Sequence, residues 1–113
     1  MTQPFKSFPK TQKVRSRALL DLCRTLRCMG CGRDDGTIVA AHSNFHAHGG
    51  KGMATKADDR FVAALCHRCH TEVDQGRSLS YEQRYAYWLK AHTLTVDYLV
   101  KNGLWPSSVP LPN

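Results

Sequence analysis

Ala64-Leu-Cys66-His-Arg-Cys69-His70 closes an apolar run with two cysteines two residues apart and adds a histidine. The same cysteine spacing occurs upstream in Cys28-Met-Gly-Cys31. A Cys-x-x-Cys turn points two thiolates at one centre, and two such turns complete the tetrahedral sulfur shell that zinc prefers. Cys28, Cys31, Cys66 and Cys69 are therefore expected to hold a structural zinc ion, closed to substrate, that clamps two distant segments together. Loss of any one ligand is expected to remove much of the folding free energy. Cys23 is left over beside an apolar stripe and reads as a small buried hydrophobe.

Outward from the knuckles, Thr37-Ile-Val-Ala-Ala-His42 and Arg60-Phe-Val-Ala-Ala-Leu65 read as two short strands. Between them residues 43–59 make a long polar loop with Gly49, Gly50, Lys51 and Gly52, of a length that is usually functional or disordered. Val14, Ala18, Leu22 and Leu26 recur every fourth residue, flanked by Leu19, and predict a helix over 13–27. A short helix is expected from the second knuckle to Asp74 or Gln75, ended by Gly76. The last helix is expected over 80–102. Ser80 with Gln83 forms a capping box, and Tyr81, Tyr85, Trp88, His92, Val96 and Leu99 keep helical spacing. Gly103 suits the position after the cap, and Pro106 prevents continuation. Residues 1–12, with Pro4 and Pro9, read as a basic extended arm and 106–113 as an irregular tail, which leaves one domain over 13–105. The fold class is α+β, small and zinc-stapled, with an N-terminal helix and a long C-terminal helix.

At 113 residues the core is modest, and small domains often need a staple. Met1 to Pro9 has no apolar signal-peptide core, and no run approaches membrane-spanning length. A cytoplasmic, intracellular location is therefore expected, where thiols stay reduced and paired cysteines favour metal over disulfides. The formal charge of +7 favours a polyanionic partner and says nothing about fold. Lys6, Lys10, Lys13, Arg15, Arg17, Arg24, Arg27 and Arg33 crowd the first 33 positions against Asp21 alone. Such an arm suits phosphate contacts, with a merely solubilising arm as the plainer reading.

His42 ends a strand, Asp58 and Asp59 precede the next, and His70 follows the last cysteine on a helix. Phosphodiester hydrolysis needs a base to activate water, a cation to neutralise the phosphorane, and groups that fix geometry. A neutral imidazole such as His42 suits the first role, and His70 with a carboxylate suits the second.

This ordered set resembles the HNH, or ββα-metal, nuclease family. The residues that carry the resemblance are Cys28-x-x-Cys31, Val39-Ala-Ala-His42, Asp58-Asp59 and Ala64 to His70. More narrowly, the chain is similar to small phage-encoded HNH nucleases in Ala41-His-Ser-Asn44, Gly50-Lys-Gly52, Lys56-Ala-Asp-Asp59, Leu65 to His70 and Val73-Asp74. The likeness covers roughly residues 28–77, and the last helix more loosely. It implies a ββα-metal core, with His42 as general base facing the helix and His70 as ligand of a catalytic divalent metal: Mg²⁺, Mn²⁺ or Zn²⁺. It places Asp59 near the family's middle Asn, where a carboxylate orients the base or joins the metal shell. It implies DNA as substrate and 5′-phosphate and 3′-hydroxyl products. Many family members carry a metal ligand just before the base, where this chain has Ala41. The shell must then draw on Asp58, Asp59, His46, His48 or water.

Lys51, between glycines, suits a phosphate cradle, with a solvated loop lysine as the alternative. Lys10, Lys13, Arg15, Arg17 and Arg68 are the other expected nucleic-acid contacts. His67 is expected to be exposed or bonded to a sulfur, His92 to be a satisfied core histidine, and Trp88, Tyr81 and Tyr85 to pack rather than stack on bases. Two other functions fit parts of the pattern: a zinc-bound nucleic-acid-binding module without catalysis, and a zinc-stabilised protein-interaction domain. A monomer is the expected state, with no membrane partner.

Overall fold

The computed structural model describes residues 13–45 and 57–112. The elements run α1 (Arg17–Arg24), β1 (Val39–His42), β2 (Val62–Leu65), α2 (His67–Gln75) and α3 (Tyr81–Lys101). The chain is thus a small α+β protein with a two-stranded sheet, three helices and a four-cysteine cluster. The expected arm over 1–12, and Lys10, His46, His48 and Lys51, lie outside the described residues.

The strands pair antiparallel, with Val39 opposite Leu65 and His42 opposite Val62. Both run Val-Ala-Ala before their last residue, and small side chains let helices approach the sheet closely. β2 is buried along its whole length. Its outer edge is covered by α3 and by the first knuckle rather than by a third strand. The Val62 carbonyl accepts from His92 Nδ1 at 2.8 Å, the Ala64 N–H donates to Thr95 Oγ1 at 3.1 Å, and the Ala64 carbonyl accepts from the Met29 N–H at 2.8 Å. These bonds satisfy groups that a bare edge would leave open. Trp88 is fully buried, donates its indole N–H to the Ala41 carbonyl at 3.0 Å, and stacks on His92 with ring centres 4.8 Å apart.

α3 keeps its expected ends. The capping box is complete at Ser80 and Gln83. At the other end the Gly103 N–H reaches the Val100 carbonyl and the Leu104 N–H reaches the Leu99 carbonyl, with Gly103 at φ 67°. That is the Schellman pattern, which favours glycine at the left-handed position. The tail beyond Pro106 has no helix or strand, but Val109 is buried in the core and accepts the Trp105 indole N–H.

α1 is shorter than the apolar periodicity predicted. Ser16 caps it by accepting the Leu19 N–H, so the helix begins at Arg17. Residues 13–16 are instead a strap tied to the segment before β2. The Asp59 N–H donates to the Val14 carbonyl at 2.9 Å, and the Ser16 N–H donates to Asp59 Oδ2 at 2.7 Å. The strands also begin two residues later than expected. Thr37 uses its hydroxyl on Asp35 and on the His67 N–H, while Arg60 and Phe61 form a turn closed on Asp58.

Candidate functional site: a four-cysteine centre and a histidine cleft

The sulfur atoms of Cys28, Cys31, Cys66 and Cys69 lie within 4.8 Å of one another. Cys31 and Cys66, from different knuckles, are 3.8 Å apart. A tetrahedron with metal–sulfur bonds of about 2.3 Å has edges of about 3.8 Å, so the donor set fits zinc in type, number and spacing. Among the described residues these four are the cluster of three or more metal-ligating side chains whose donor atoms converge. Cys28, Cys66 and Cys69 are buried and Cys31 is exposed. Burial pushes the Cys28 thiol up, but backbone N–H groups of Cys66, Cys31 and Gly30 outweigh it and bring the pKa down to about 7. Such N–H···S bonds favour the thiolate that a metal requires. Cys23 takes no part: it is fully buried, and burial raises its thiol to about 12.

One residue past the cluster, α2 carries His70 and, a turn later, Asp74. His70 Nε2 lies 3.0 Å from Asp74 Oδ2. The Asp74 carboxylate holds the His70 imidazole above its usual pKa, against the opposing effect of burial. Both residues line a cleft of about 310 Å³ together with Ala40, His42, Ser43 and Asn44. The two histidines singled out in the sequence, 28 positions apart, thus meet on one cavity. Ala40 and His42 share one face of β1. Ala41 points the other way and is buried, so that position supplies no ligand to the cleft.

Asp59 settles the orientation of His42. Its Oδ1 lies 2.7 Å from His42 Nε2, while its Oδ2 accepts the Ser16 N–H. The carboxylate is 6% exposed. An ionised carboxylate only accepts, so in the neutral ring Nε2 donates to Asp59 and Nδ1 keeps the lone pair. Asp59 thus holds the His42 ring in place through this contact. Asp58 has different partners. Its oxygens are taken by the Arg60 guanidinium at 2.8 Å and by the Arg60 and Val14 N–H groups. Burial raises its pKa, the Arg60 bonds lower it further, and the net shift is downward. Asp58 thus ties the Arg60 turn to the strap, and it is not among the residues that line the histidine cleft.

Arg15 reaches Asp59 Oδ1 at 3.5 Å with its side chain 55% exposed. Lys13 and Arg17 are exposed on the same strap and helix start. Arg68, in the first turn of α2, lines a separate pocket with Cys31, Cys69, Glu72 and Tyr87 rather than the histidine cleft. Asp74 is the cleft residue that the sequence reading quoted without a role. The signal was available, because a histidine and an aspartate four apart on a predicted helix face one another. His67 is exposed, and His92 is a core histidine, as expected.

The fold and cluster together define a small α+β protein built around a four-cysteine metal site. The family model described as Protein of unknown function (DUF968) matches residues 2–103, and the chain belongs to that family. Comparison with curated proteins and with solved structures gives no match.

Proposed function

We propose that this protein is a metal-dependent endonuclease of the HNH type that hydrolyses DNA phosphodiester bonds. The observation that carries the reading is the shared cleft: His42, fixed by Asp59 with its Nδ1 left as a base, stands on the same cavity as His70 and Asp74. A divalent cation at His70 and Asp74, its shell completed by water and phosphate oxygens, would neutralise charge on the phosphorane and leaving oxygen. His42 Nδ1 takes the proton from the attacking water, and Asp59 holds the ring and stabilises the imidazolium that results. The four-cysteine centre ties the start of α2, and with it His70, to the Cys28–Cys31 knuckle that precedes β1. Lys13, Arg15 and Arg17 supply the phosphate-binding charge.

The test is nicking of supercoiled plasmid with Mg²⁺ or Mn²⁺ by the wild type and by His42→Ala, with zinc content measured in both. The proposal expects nicking that the substitution abolishes at unchanged zinc. DNA binding without cutting by the wild type favours the non-catalytic binding module, and absence of binding at low salt favours a protein-interaction domain.

A further inference from the structure

Tyr87 lies on α3, outside both knuckles, yet its hydroxyl oxygen is 3.0 Å from Cys69 Sγ. The first knuckle leaves room for it. A Cβ built on Gly30 would stand 2.6 Å from that hydroxyl and 3.0 Å from two ring carbons. The glycine between Cys28 and Cys31 is thus the gap through which an α3 side chain reaches a ligand of the other knuckle. Gly30 is not at a left-handed backbone position, so its small size answers to this approach rather than to a turn requirement.

We infer that Tyr87 is an outer-shell partner of the metal centre, donating an O–H···S hydrogen bond to the Cys69 thiolate. A metal-bound thiolate has no proton to give, and a phenol at neutral pH keeps its own, so the direction of donation is fixed. The Cys28 sulfur already accepts from the Gly30 and Cys31 N–H groups, at 3.3 and 3.4 Å. Tyr87 extends that pattern to the second knuckle with a side chain. Each such bond disperses charge on sulfur, which slows loss of the ligand and strengthens retention of the ion. Tyr87 is a positioning residue: it also ties α3 to Cys69, the residue immediately before His70. The inference concerns the cysteine centre and does not depend on nuclease activity.

Tyr87→Phe removes only the hydroxyl and keeps the ring packing. Two readouts follow it: the rate of zinc transfer to a chromogenic chelator, and the sulfur-to-metal charge-transfer band of the full chain loaded with Co²⁺. The expected result is zinc release about tenfold faster or more, with the cobalt band moved to lower energy because the sulfur lone pairs are no longer stabilised. Gly30→Ala, which pushes the phenol off Cys69, should shift both readouts the same way. It serves as the test if the phenylalanine variant fails to fold. Wild-type release and an unmoved band in either folded variant would overturn the assignment and leave Tyr87 a packing residue.

Discussion

At the scale of single residues the site depends on how Asp59 divides its two oxygens. One fixes His42 and the other fixes the strap at Ser16. Asp59→Asn keeps an acceptor for one of these groups, whereas Asp59→Ala leaves a buried N–H without a partner. The alanine variant should lose about 1–3 kcal/mol in denaturant unfolding. Under the endonuclease reading, both should cut plasmid more slowly, and the alanine variant on the order of 10²-fold or more. Cutting by Asp59→Ala at the wild-type rate would remove Asp59 from the machinery. His92 makes a different prediction. Burial lowers its pKa from the ordinary 6.5, so on acidification the unfolded chain takes up the proton first. Its contribution to stability is complete above about pH 6.5 and is lost as pH falls towards the depressed folded value. Thermal melts from pH 7.5 to 5.5 should therefore fall less steeply for His92→Gln than for the wild type. The glutamine variant should also be the less stable at pH 7.5, because the stack on Trp88 is gone. Parallel pH profiles would show that His92 does not carry the acid sensitivity.

At the scale of elements, α2 brings two chemistries together. Its first turn contains Cys69 of the metal cluster, and the next residues offer His70 and Asp74 to the cleft. Damage to each should therefore separate. His70→Ala and Asp74→Ala are expected to keep one zinc per chain and a native melt and, under the endonuclease reading, to lose cleavage. Cys66→Ser or Cys69→Ser should lose zinc and most cooperative folding together, since binding energy at such a site is folding energy. Cys23→Ala should keep its zinc and lose on the order of 1 kcal/mol of stability. Zinc analysis and circular dichroism on the set decide the matter. The elements were readable where a local rule governs them: both caps of α3, the two knuckles and the small-residue strands follow from residues near in sequence. α1 was overread because Val14 fits a helical stripe but is held by Asp59 from across the chain. No periodicity reports a backbone bond over that separation. The different contacts of Asp58 and Asp59 are hidden for a similar reason, because two adjacent aspartates look equivalent until Arg60 pairs with one of them.

At the scale of the whole molecule, the shared cleft of His42 and His70 follows from the order strand, strand, knuckle, helix. What the order could not give is where the basic N-terminal segment lies. Charge alone makes it a general attraction for polyanions, with the excess of positive charge concentrated in the first 33 positions. The strap's bonds to Asp58 and Asp59 bring Arg15, half exposed, to within 3.5 Å of the carboxylate that contacts His42. Under the endonuclease reading, a cation so placed should contact a phosphate next to the one being cut. Binding of a short duplex can be followed without turnover in the His42→Ala background, as log Kd against log salt concentration. Adding Arg15→Gln should lower the slope by about 0.9, the share of one released counterion, and weaken binding equally across duplex sequences. Arg33→Gln is the control, because that arginine sits beyond the first knuckle and pairs with Asp35 at 3.9 Å. If the two substitutions change the slope equally, the arm acts only through overall charge and Arg15 has no privileged place at the cleft. If Arg15→Gln alone changes it, the strap belongs to the DNA-binding surface of the site.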